Sequence, residues 1–126
     1  MPNVTLPGTG ANVATRTMGS VEYQVVLAGG FTYNTVAASA TAQVLGATGA
    51  KGDYLNFVLI VPGTTSPGAV TITDGTGSAI TIFTGGSTSV SNLVPFSVPI
   101  MAQTANGAWK VTTGTNVTAI AVGVFT

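Results

Sequence analysis

Residues 54–61 read Tyr54-Leu55-Asn56-Phe57-Val58-Leu59-Ile60-Val61, an uncharged run rich in aromatic and branched aliphatic side chains. Such residues fit a pleated surface, and the run lacks the i, i+3, i+4 spacing of an amphipathic helix. Read as a strand, it places Leu55, Phe57, Leu59 and Val61 on one face and Tyr54, Asn56, Val58 and Ile60 on the other. Both faces are greasy. A strand in an antiparallel sandwich meets the core with one face only. The stretch therefore predicts an all-β chain and a second apolar surface that something must cover.

The rest of the chain follows the same period. Val117–Phe125 again carries apolar residues on both sides, Val117, Ala119, Ala121 and Phe125 against Ile120, Val122 and Val124. Cover for the second face comes from a neighbouring subunit or the chain's own N-terminal arm, unless a β-bulge shifts the face assignment. On the subunit reading, Tyr54, Val58, Ile60, Ile120, Val122 and Val124 form an oligomer interface. Further strands are expected at Val21–Leu27, Val36–Val44, Ala69–Asp74, Ala79–Phe83, Leu93–Ile100 and Ala108–Thr113. The alanine-rich piece 36–44 has a short helix as its competitor. Asp74-Gly75-Thr76-Gly77 is a strong hairpin signal, because such turns need positive φ. Pro95 and Pro99 withhold two N–H groups on one side of their strand, which marks an edge. About eight short strands separated by turn residues predict a jelly-roll-like antiparallel sandwich over residues 18–126, with an immunoglobulin-like sandwich as the alternative. Trp109 shares a face with Val111 and is expected in the core.

Composition narrows the chemistry. The chain has no cysteine and no histidine. Thiol chemistry, disulfides and the commonest general base and metal ligand are thereby excluded. Only Arg16, Glu22, Lys51, Asp53, Asp74 and Lys110 are charged, 5% of residues against the usual ~25%. Zero net charge leaves no electrostatic footprint for nucleic acid or an anionic membrane, and no stretch has the apolar length of a helical span. Residues 1–8 lack the basic start and apolar run of a signal peptide, so synthesis in a cytoplasm is expected.

No motif for catalysis stands out. Gly46-Ala47-Thr48-Gly49-Ala50-Lys51-Gly52-Asp53 lacks the Gly-Lys-Ser/Thr ending of a phosphate loop and reads as a connection. Asp53 and Asp74 sit where aspartate is ordinary turn chemistry. A glycosidase would need two of Glu22, Asp53 and Asp74 facing each other across a cleft. No cofactor and no metal are expected. Phe31 and Tyr33, in an expected turn region after Gly29-Gly30, are the aromatics best placed to be exposed for sugar stacking, with core or interface the favoured role even there. Residues 1–17 read as an extended arm that could reach ~55 Å. Val4, Leu6, Pro7 and Val13 are spaced to press into shallow pockets of a partner or neighbouring subunit, if the segment is not simply a free tail.

Val4-Thr5-Leu6-Pro7-Gly8-Thr9-Gly10 followed by Gly19-Ser20-Val21-Glu22-Tyr23-Gln24 resembles the opening of tailed-bacteriophage virion proteins. Gly46–Asp53 leading through Tyr54–Val61 into Pro62-Gly63-Thr64-Thr65-Ser66-Pro67-Gly68 is similar to them too, as is Leu93-Val94-Pro95-Phe96. The resemblance implies a capsid decoration, or cement, protein. Such a protein sits on the particle as a homotrimer, clamps the major capsid protein and catalyses nothing. A head spike or a tail-associated carbohydrate-binding module is the second function it implies.

Overall fold

The computed structural model describes residues 15–18, 21–24, 30–63, 65–86 and 94–126, and these contain no helix. The chain divides into two compact units, residues 1–30 and Phe31–Thr126. In the first, β1 (Thr15–Met18) and β2 (Val21–Gln24) form an antiparallel hairpin with Thr15 opposite Gln24. The domain boundary expected after residue 17 falls within β1. The arm positions Val4, Leu6, Pro7 and Val13 lie outside the described residues.

The second unit contains β3 (Thr32–Val36), β4 (Gln43–Val44), β5 (Tyr54–Pro62), β6 (Val70–Asp74), β7 (Ile80–Phe83), β8 (Phe96–Gln103), β9 (Trp109–Thr113) and β10 (Val117–Val124). They form two four-stranded antiparallel sheets, ordered β3-β10-β5-β8 and β4-β9-β6-β7. Strand pairs β3/β10, β4/β9, β5/β8 and β6/β7 are all hydrogen-bonded. The unit is thus one long hairpin whose tip is the β6–β7 turn. Rolling it up adds the ladders β10/β5 and β9/β6. That winding is a jelly-roll-like sandwich.

The tip is where the sequence signalled it. Gly75 takes φ +56°, and the Gly77 amide donates to the Asp74 carbonyl at 2.7 Å. β8 is an edge strand, displaced three residues toward the C-terminus from the expected start and end, so Pro99 lies within it while Pro95 precedes it. Val36, Leu45, Leu55, Val58, Ile60, Val70, Ile72, Trp109, Val111, Val117, Ala119 and Ala121 make the core.

Two expectations fail. The alanine-rich segment is not one strand. β3 ends at Val36, and the chain turns with positive φ at Ser39 and Ala42 before the two-residue β4. The Thr113 hydroxyl accepts from the Ala40 amide and donates to the Ala37 carbonyl, while the Thr112 hydroxyl accepts from the Ala42 amide. Side-chain bonds of this kind replace a ladder that alanine's small buried area holds poorly. Thr32–Val36, by contrast, is a strand where a turn was expected.

The second failure is at Val58 and Ile60. Pairing of β5 with β8 jumps between Leu55 and Phe57, and β10 jumps against β5 between Val122 and Gly123. The bulge keeps Leu55 inside and then turns Val58, Ile60 and Pro62 inside as well. Val58 and Ile60 are core residues, not interface residues. Gly123 makes the bulge possible, since a Cβ there would strike the Tyr54 carbonyl oxygen and reach 3.0 Å from the Leu55 Cα. We predict that Gly123→Ala costs roughly 1–3 kcal/mol, as overpacking of a close backbone crossing does. Urea denaturation measures it, and an unchanged midpoint would rule out the crossing.

Candidate functional site: the outward face of the sheet β3-β10-β5-β8

Register assigns the outward rows. Tyr33, Val122, Phe57 and Pro99 lie side by side across the four strands, and Thr35, Ile120, Leu59 and Ser97 form the next row. Val124, Tyr54 and Gln103 make a third, and Thr118 with Val61 a fourth. None of the four strands contains a charged residue. Strand spacing of about 4.8 Å and a rise of about 3.3 Å per residue give this face an extent on the order of 500 Å².

The opposite sheet shows what an ordinary solvent face looks like on the same scaffold. There Thr71 pairs with Thr81 and Thr112, and Thr73 with Lys110. Inside is aliphatic in both sheets, but outside one sheet carries threonine and lysine on its central strands, and the other carries aromatic and aliphatic residues on β5 and β10, with Thr35, Thr118, Ser97 and Gln103 around them. Of the six proposed interface positions, Tyr54, Ile120, Val122 and Val124 lie on this apolar outer face. Sequence reasoning placed Phe57, Leu59 and Val61 on the inner side, and the same bulge explains why they join it. Their signal was the two-sided pattern of residues 54–61, with the faces exchanged beyond Leu55.

The rim carries exposed groups. Tyr33 is 71% exposed and Phe31 54%. Phe31 stacks on Tyr54, ring centroids 5.9 Å apart at 28°, and the Tyr54 hydroxyl lies 3.4 Å from Asn56 Oδ1. Met101 is 68% exposed and takes φ +55° inside β8. A bulky side chain in that left-handed region costs on the order of 1–3 kcal/mol.

Comparison with protein-family models, with curated proteins and with solved structures returns no match.

The two aspartates of the sandwich are engaged in holding loops. Asp53 is buried and accepts from the Ala50 amide at 2.9 Å, the Thr126 amide at 3.2 Å and the Thr126 hydroxyl at 2.6 Å. The amides of Thr48 and Gly49 donate in turn to the Thr126 carbonyl, so the Gly46–Gly52 connection wraps residue 126. Asp74 accepts from the amides of Ala105 and Asn106, both at 2.9 Å, tying the β6–β7 turn to the β8–β9 connection. Those two amides hold its carboxyl below the usual range, slight burial opposing and the Asn106 side chain and Lys51 assisting.

At Asp53, burial pushes the carboxyl up, and the hydrogen bonds from the Thr126 hydroxyl and the amides of Ala50 and Thr126 together overcome it, leaving the group below its ordinary value. Its stabilising effect is complete above the unfolded value of about 3.9 and is lost as pH falls through the lower folded value. We predict that Asp53→Asn, which presents an amide to N–H donors, costs roughly 1–3 kcal/mol at neutral pH. It should also make the loss of stability below about pH 4 shallower than in the wild type. Urea midpoints at several pH values test both. An unaltered acid limb in the variant would remove Asp53 as its source.

Proposed function

We propose that this chain is a non-enzymatic capsid decoration protein of a tailed bacteriophage, binding the outer shell beside the major capsid protein as a homotrimer. The observation that carries the reading is the contrast between the two outer sheet faces, one threonine-rich and wettable, the other uncharged and apolar. Exposed contiguous apolar patches beyond a few hundred Å² mark interaction surfaces. Phe57, Leu59, Ile120 and Val122 remain partly exposed at the centre of a face whose extent is on the order of 500 Å², where the buried centre of an interface is expected to be apolar. Tyr54, Phe57, Leu59, Ile120, Val122 and Val124 make the subunit contact in this reading, and residues 1–17 reach the capsid. The resemblance of the loop and strand motifs to phage virion proteins supports placement on a particle. The engagement of Asp53 and Asp74 in loop-holding bonds supports a role without catalysis.

A second reading is favoured by one observation. Phe31 and Tyr33, with Tyr54 beside them, form an exposed aromatic group flanked by Asn56 and Gln103, a composition suited to stacking on sugar rings. A receptor- or carbohydrate-binding module would use it. A glycan screen in which Tyr33→Ala abolishes a hit supports that role, and the absence of hits removes it.

For the leading reading, light scattering at micromolar concentration is expected to give a mass near three times 12.4 kDa. That mass should barely change with salt, because apolar contacts are not screened. Ile120→Asp should dissociate the assembly by burying an unpaired charge. The purified wild-type protein should also bind phage particles stripped of their decoration. A monomer at these concentrations, or no binding to stripped particles, contradicts the proposal.

A further inference from the structure

We propose that Met101 is the anchor by which one copy of this chain docks on the outward face of another, an inference that rests on the assembly reading above. Five residues other than glycine take positive φ among those described: Ser39, Ala42, Ser66, Met101 and Asn116. Four of them are small or amide side chains in connections, where such conformations are common. Met101 is the bulky one, and it lies within a strand.

The strain has a definite origin. Pairing passes from Phe57 opposite Pro99 to Leu55 opposite Ala102, so Ile100 and Met101 together oppose Asn56. This is a bulge on an edge strand, where glycine would take the left-handed position freely. Ile100 and Ala102 pack against the core, and Met101 between them projects outward beside the Tyr54–Gln103 row. A side chain left 68% exposed in its own fold, at a position glycine would fill without strain, is available for contact outside it. Its unbranched thioether adapts to irregular gaps and makes favourable contacts with aromatic rings. The outward face offers those rings at Tyr33, Tyr54 and Phe57.

The occupant is a second copy because of charge and area. The four strands carry no charge, and the charged residues of the sandwich lie elsewhere. Lys51 and Asp53 are in the β4–β5 connection, Asp74 ends β6, and Lys110 is on the other sheet. The face has nothing to pair with a charged partner, and a chain of zero net charge does not repel its own copies. The sheet face alone falls short of a standard interface, and a rim side chain reaching into the neighbour extends it.

Full-length Met101→Gly and Met101→Leu test the anchor against wild type, by sedimentation equilibrium and by thermal midpoints at a dilution where all are monomeric. Met101→Gly is expected to weaken self-association at least about tenfold, as loss of an interface hot spot does. Its monomer midpoint should stay equal or rise, since strain is relieved. Met101→Leu should stay within about threefold of wild type, since it conserves volume and polarity. If Met101→Gly associates like wild type while Ile120→Asp dissociates, the anchor is wrong and the assembly reading stands. A lowered monomer midpoint for Met101→Gly makes the residue structural and overturns the proposal. A monomeric wild type across the micromolar range overturns the assembly reading and the anchor with it.

Discussion

A β-strand has two faces and a sandwich has one interior. The central pair of one sheet, β5 and β10, is apolar on both sides, and the rest of the molecule is arranged around that fact. Inside, Leu55, Val58, Ile60, Val117, Ala119 and Ala121 close against Ile72, Trp109 and Val111. Outside, Phe57, Leu59, Ile120 and Val122 remain with edge strands on either flank and no charge among them. Apolar burial is non-directional and scales with area, so the association proposed for this surface needs no particular ion or hydrogen bond. Near-absence of charge removes the usual means of keeping copies apart.

Polar chemistry in this chain serves the loops. Asp53 gathers residue 126 and the Gly46–Gly52 connection, Asp74 secures the hairpin tip, and Thr113 holds the alanine-rich turn. Each is a short side chain accepting backbone N–H groups that the sheets leave over. Such bonds contribute modestly one by one, but leaving the buried groups unpaired costs more. They fix the ends of the sandwich and leave its two outer faces to differ freely.

Much of the fold was legible because its signals are local. The Asp74-Gly75 turn marks the tip of the long hairpin, Pro99 marks the edge, and the alternation around Trp109 and Val111 points inward. What was not legible depends on distant partners. The extra residue that β5 carries against β10, Asn56 between the Leu55–Gly123 and Phe57–Val122 pairs, is invisible to alternation within residues 54–61, and it exchanged Val58 and Ile60 for Phe57, Leu59 and Val61. The turn at 37–42 is held by threonine hydroxyls some seventy residues away in sequence. β3 escaped notice because only Val36 of its five residues is buried, so the hydrophobic pattern that betrays a strand is nearly missing. The apolar outer face was foreseen in kind, with four of the six named positions lying on it, because two-sided hydrophobicity survives a shift of register.

The central claim is that a second copy covers this outer face. Hydroxyl-radical footprinting of Tyr33, Phe57 and Met101, from nanomolar to micromolar protein, tests it most directly. Modification of all three should fall together as concentration rises, while the exposed Ile80 stays constant. Identical modification at every concentration would mean the face never meets a neighbour.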